Sequence, residues 1–129
     1  MSTRSRIGMV MPDGKIRSVY CHNDGYLSDV GTTLHEHYLD STEIGALIDL
    51  GDLSSLDVDL TRSIAYMRDR GEKDCSAIVS NTETDFLALN SGQEFVYLWK
   101  DGKWIVWCVY DTNIPLDLTA ALTADAMSE

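Results

Sequence analysis

Two prolines and nine glycines in 129 residues are too few for a collagen-like or low-complexity chain. The three cysteines, Cys21, Cys75 and Cys108, are odd in number and lack CxxC spacing. That excludes a disulfide framework or a paired-cysteine zinc site and fits reduced thiols in a reducing compartment. No apolar run approaches the roughly 18 residues that cross a bilayer. The opening MSTRSRIGMV has no long apolar stretch of the secretory kind. Basic residues are scarce: 10 Lys and Arg against 21 Asp and Glu give a net charge of −11. Such a chain is repelled by phosphate backbones, so direct nucleic-acid binding is not expected. Also missing are GxSxG, the P-loop, GxGxxG and the kinase signature set. Serines and threonines are plentiful, but none has a neighbourhood that nominates it as a nucleophile. A non-enzymatic role without cofactor or metal is the expectation.

What remains is ordinary for a folded chain. A hydrophobic share of 44% over this length predicts one globular domain, 1–129, with residues 124–129 frayed. The acidity is uneven. Residues 40–59 hold Asp40, Glu43, Asp49, Asp52, Asp57 and Asp59 with no Lys or Arg, and residues 111–129 hold four acids with none. These segments carry all but one unit of the net charge. They are either solvated faces that aid solubility or a negative surface that meets a basic partner.

Asp-Gly between apolar runs marks two hairpins with type I′ turns, at Pro12-Asp13-Gly14-Lys15 and at Lys100-Asp101-Gly102-Lys103. The second turn sets a register with Trp99 opposite Trp104, Leu98 opposite Ile105 and Tyr97 opposite Val106. Phe95, Tyr97, Trp99, Trp104, Val106 and Cys108 then share one face, and Val96, Leu98, Ile105, Trp107 and Val109 the other. With both faces apolar, the hairpin is buried on both sides or forms an interface, so a homodimer through it is open.

Val30, Leu34 and Tyr38 recur at helical spacing over 28–39. Asp40, with Glu43 three residues on, predicts the cap of a second helix that buries Ile44, Leu47 and Ile48 and ends at Gly51. Residues 52–60 read as irregular, 61–67 as β-leaning, 68–77 as loop and 81–90 as holding a helical turn. Pro115 predicts the start of a last helix carrying Leu118, Ala121 and Leu122. The fold class is α+β: an antiparallel sheet built from two β-hairpins with two to four short helices.

The densest polar cluster is Tyr20-Cys21-His22-Asn23-Asp24-Gly25-Tyr26. His22 and Asp24 either orient one another for proton transfer or belong to a structural turn. His35 and His37 flank Glu36, but helical residues two apart diverge, and HEH is not the HExxH zinc spacing. Arg68-Asp69-Arg70-Gly71-Glu72 is either an anion site built on arginine forks or a local salt-bridge loop. Ser2-Thr3-Arg4-Ser5-Arg6 is either an anion-touching strand or a plain terminus.

Taken together, MSTRSRIG, PDGK, VYCHNDGYLSDVGTTLHEHY, IGALIDLGDLSSL and YMRDRGEKD resemble a family of small, mostly uncharacterised proteins of tailed bacteriophages. Its members open with M-x-T-R-S and a DG turn. Y-C-H-x-D-G-Y, a LGDLSSL-like run, an R-D-R-G-E segment and a DGKW hairpin follow in that order. The resemblance covers most of residues 1–110. It implies a phage accessory protein made in the cytoplasm of the infected bacterium, and no established activity. This chain has Asn23 where members often have Trp, and Met67 where they often have Gly. Two functions are therefore expected as alternatives. One is inhibition of a host protein or defence system, of anti-CRISPR type for instance, through the acidic segment 40–59. The other is capture of a small anionic ligand such as a nucleotide signal. Its site would be Tyr20, His22, Asp24, Tyr26, Arg68, Arg70 and Glu72, provided residues 20–26 and 66–72 meet.

Overall fold

The computed structural model describes residues 2–127. Strands β1 (Ser5–Val10) and β2 (Ile16–Cys21) form the first hairpin. A π-helical turn, Leu27–Gly31, leads into α1 (Thr32–His37), and α2 (Ser41–Asp49) follows. Then come β3 (Leu53–Ser55), β4 (Ile64–Ala65), α3 (Tyr66–Arg70), β5 (Ile78–Ser80) and α4 (Glu83–Ala88). The second hairpin is β6 (Phe95–Lys100) with β7 (Lys103–Cys108), and β8 (Pro115–Asp117) and α5 (Leu118–Met127) close the chain.

The fold is α+β, with a mostly antiparallel sheet in the order β4-β3-β2-β1-β6-β7-β8. Two joins are parallel: β1 to β6, over Ser5↔Phe95 to Met9↔Trp99, and β2 to β3 at Cys21↔Leu53. Strand β5 pairs with the outer edge of β2 beyond β3, with Ser18 opposite Ile78. The described residues carry five α-helices, one more than the upper end of the sequence expectation.

The second hairpin has the expected register, from Phe95↔Cys108 to Lys100↔Lys103. Asp101 and Gly102 have φ of 53° and 76°, as a type I′ turn needs. The first turn differs. Only Gly14 has positive φ there, and Gly14 N–H donates to the Met11 carbonyl at 2.9 Å while Met11 N–H donates to the Lys15 carbonyl at 2.7 Å. This is a three-residue loop. A two-residue loop would pair Pro12 with Lys15, and proline has no N–H to give that pair.

Both faces of the sheet are buried. On one, Ile7, Val19, Tyr97 and Val106 pack with Val30, Leu34, Ile44, Leu47, Ile48 and Leu118. On the other, Ile16, Val96, Leu98 and Trp107 pack around Phe86 of α4. The two apolar faces of the second hairpin thus find cover within one chain. The polar ends of its aromatics are satisfied: Tyr97 O–H donates to the Gly25 carbonyl at 2.7 Å and Trp104 Nε1–H to the Tyr38 carbonyl at 2.8 Å.

Helix α2 begins as expected, with Asp40 Oδ1 accepting the Glu43 N–H at 2.8 Å. Elsewhere tertiary contacts override local pattern. Residues 52–60 contain β3, and 61–67 split between β4 and α3. Part of the expected loop 68–77 is helical, up to Gly71 in the left-handed conformation. Pro115 opens a strand opposite Trp107, because an edge strand tolerates a missing N–H. The last helix starts three residues later, where Asp117 Oδ1 accepts the Ala120 N–H at 3.3 Å. Its residues 124–127 are helical, and residues 128 and 129 lie outside the described residues.

The approach of α4 depends on Gly8, where an added Cβ would lie 2.8 Å from Phe86 Cε1. Gly8→Ala is therefore expected to lower unfolding free energy by about 1–3 kcal/mol in urea denaturation. Phe86→Leu in the same chain should recover part of that loss. Full stability of the single variant would show that Phe86 is not seated against β1.

Candidate functional site

The two motif regions meet only in part. Tyr20 Oη and His22 Nδ1 are 2.6 Å apart at the end of β2. Asp52 ties this place to α3: its Oδ1 accepts the Tyr20 N–H at 2.9 Å and its carbonyl accepts the Tyr66 N–H at 3.2 Å. Arg70 lies over the Tyr66 ring, 5.3 Å from its centroid. The Tyr20 hydroxyl has its pKa raised by burial, opposed by the Arg4 charge, with Tyr66 adding to the rise.

The remaining predicted ligand residues have local employment. Arg68 pairs with Asp69 at 3.0 Å and donates to the Ser63 carbonyl at 2.6 Å, while Asp69 accepts the Ala65 N–H. This is the salt-bridge loop that the sequence left open. Asp24 adopts φ of 59°, and its carbonyl accepts the Val30 N–H at 3.1 Å, as a turn residue does. The charges acting on the exposed Tyr26 are Asp24 and Asp29, which raise its pKa. Glu72 is exposed and gives its N–H to the Tyr66 carbonyl. His22 and Asp24 have no mutual hydrogen bond.

The acidic segment sorts into two groups. Asp49 points away to pair with Arg17 at 2.9 Å. Asp52 is turned inward, where burial raises its pKa, opposed by the Tyr20 N–H and by Arg6. The other four lie at the start of α2, Asp40 and Glu43, and in the loop before β4, Asp57 and Asp59. Tyr38 O–H donates to the Asp57 carbonyl at 2.8 Å. Asp57, Asp59 and Glu43 all act on its phenol, and Asp40 caps the helix that carries Glu43. Asp59 is held below its ordinary pKa by the Thr61 N–H and hydroxyl, whereas the Glu43 carboxyl is pushed up by its hydrogen bond to Asp40.

On the opposite face of the sheet, the apolar layer around Phe86 gives way to a groove of about 300 Å³. Arg4, Arg6 and Tyr20 line it, with Ile78, Leu89, Ser91 and Gln93. Arg4 and Arg6 share a face because strand side chains alternate. The missing signal was the partner walls, which come from β5, the end of α4 and the loop before β6. Among the described residues no group of three or more His, Cys, Asp or Glu side chains converges as a metal site requires. Nor, among the described residues, is any helix long and apolar enough to cross a membrane. No family model matches the chain, and neither does any curated protein or solved structure.

Burial and the acidic patch push the Tyr38 pKa to about 12, burial being the larger cause. An unfolded tyrosine ionises near pH 10. The stabilisation this shift represents is complete below about pH 10 and is lost as pH rises from there through the folded value. The urea midpoint should fall across that window. Tyr97 and Cys21, also shifted upward by burial, add to the fall. Tyr38→Phe should make it shallower; an unchanged slope would remove Tyr38 from the alkaline transition.

Proposed function

We propose that the protein is a non-enzymatic bacteriophage accessory protein. It acts in the cytoplasm of the infected bacterium by binding a host protein, such as a component of a defence system, through its acidic surface. The observation that carries this reading is that Glu43, Asp57 and Asp59, from two segments of the chain, act on Tyr38, with Asp40 capping the helix that carries Glu43. Four carboxylates on one side of a small domain create a field that steers a basic surface into contact and discriminates against acidic ones. The backbone beneath them is held by the helix cap and by the Asp57 and Asp59 turns, so the patch is presented with little ordering left to do. Asp49, exposed but paired with Arg17, and Asp52, turned inward, are not part of this patch. The phage-like motif order supports the setting, and a basic nucleic-acid-binding channel is the kind of target such a surface fits.

The test neutralises charge without changing shape. Asp40→Asn, Glu43→Gln, Asp57→Asn and Asp59→Asn keep the acceptor oxygens of the cap and turns. In affinity capture from infected cells, the wild-type chain should retain a basic host protein at low salt and release it as salt rises. The fourfold variant should bind that protein about tenfold or more weakly, mainly through a slower on-rate. Equal binding by the neutralised variant, or a partner whose binding ignores salt, would overturn the reading.

A further inference from the structure

The groove on the other face contains a charge in an unusual position. Arg6 is 5% exposed, yet it has no carboxylate within ion-pair distance among the described residues. Its protein partner is Ser18, whose hydroxyl accepts from Nε at 2.9 Å and whose carbonyl lies 3.5 Å from Nη2. A guanidinium carries five N–H donors, and Ser18 takes two of them, leaving the others to the groove that Arg6 lines. The carboxylate that acts on Arg6 from a distance is Asp52, and burial outweighs it, lowering the arginine pKa. A buried cation without a paired anion is costly and is retained where something compensates it.

The second arginine is held for the same space. Arg4 lies against the loop before β6, and an added Cβ at Gly92 would come within 2.7 Å of Arg4 Nη2. Gly92 has φ of 101°, which favours glycine there on backbone grounds as well. Glu94 accepts the Arg4 backbone N–H at 2.7 Å and lies 3.8 Å from its Nε, anchoring the strand start while neutralising Arg4 only in part. Tyr20 adds a hydroxyl that interacts with both Arg4 and His22. Ile78 and Leu89 supply apolar walls.

We propose that this groove binds the phosphoryl group of a small phosphorylated molecule, clasped between Arg4 and Arg6 with the Tyr20 hydroxyl as a further partner. A carboxylate presents two oxygens to one fork, whereas a phosphomonoester presents three and can meet two guanidiniums together. A groove of about 300 Å³ holds a ligand of mononucleotide size, with its organic part against Ile78 and Leu89. The site lies on the opposite face from the acidic patch and is independent of it.

The test is calorimetric titration of the full chain at low salt with inorganic phosphate, AMP and adenosine. AMP and phosphate should bind, and adenosine should not. Arg6→Met, with its fold checked by circular dichroism, should weaken AMP binding about tenfold or more, since a charged hydrogen-bond partner is lost. Arg4→Gln, at a partly exposed side chain, should weaken it as well and serves if Arg6→Met does not fold. Asp52→Asn retains the acceptor for the Tyr20 N–H but removes the negative charge acting on Arg6, so it should tighten AMP binding a few-fold. No binding of AMP or phosphate up to about 1 mM, the range of weak small-ligand sites, would overturn the proposal. So would adenosine binding as tightly as AMP, or undiminished AMP binding in both arginine variants.

Discussion

The parallel pairing of β1 with β6 is the contact on which the rest of the fold depends. It joins two hairpins that are far apart in sequence, and neither could bury both of its faces alone. Once joined, the sheet has an inside on each side. α1, α2 and α5 cover one, and α4 covers the other. The same pairing decides what each residue of β1 does. Ile7 and Met9 enter the larger core, Gly8 accepts Phe86, and Arg6 is left at the end of the smaller layer where apolar cover runs out. The arginine is thus buried by its position in the ladder rather than by a partner of its own.

The parts of this architecture that were legible in sequence are those fixed by local chemistry. The Asp101-Gly102 turn set the register of a whole hairpin, because each position admits left-handed backbone and strand side chains alternate. The Asp40 cap and the Val30, Leu34 and Tyr38 stripe were legible for the same reason. Local signals failed where the outcome depended on a distant strand. Leu53–Ser55 becomes a strand because β2 offers an edge, and Pro115 because β7 does. Proline at position 12 could have announced the wider first loop, since its missing N–H bars the tighter pairing.

The candidate site was legible to a lesser degree. Tyr20 stands in the densest polar cluster of the sequence, and Arg4 and Arg6 lie in a stretch that reads either as touching an anion or as a plain terminus. Arg68 attracted attention as a charge cluster and instead closes its own short helix through Asp69 and Ser63. Charge patterning in sequence cannot distinguish an arginine that is satisfied by its neighbours from one that is not. That distinction is made by packing. It separates Arg6, deep and without a paired carboxylate, from Arg68, shallow and paired with Asp69. It likewise separates the other four carboxylates of segment 40–59 from Asp49 and Asp52.

Asp52 has a consequence that reaches beyond the site. The outer edge of β2 is covered in two pieces, by β5 opposite Ser18 and by β3 opposite Cys21, and the Tyr20 N–H falls between them. Asp52 supplies the missing acceptor from a side chain, so a carboxylate stands in for one rung of backbone. An open rung in mid-sheet is a place where a foreign strand can begin to pair. Filling it with a negatively charged group that cannot itself extend a ladder closes the edge against addition. By this device one side chain completes the outer edge of β2 between two short strands.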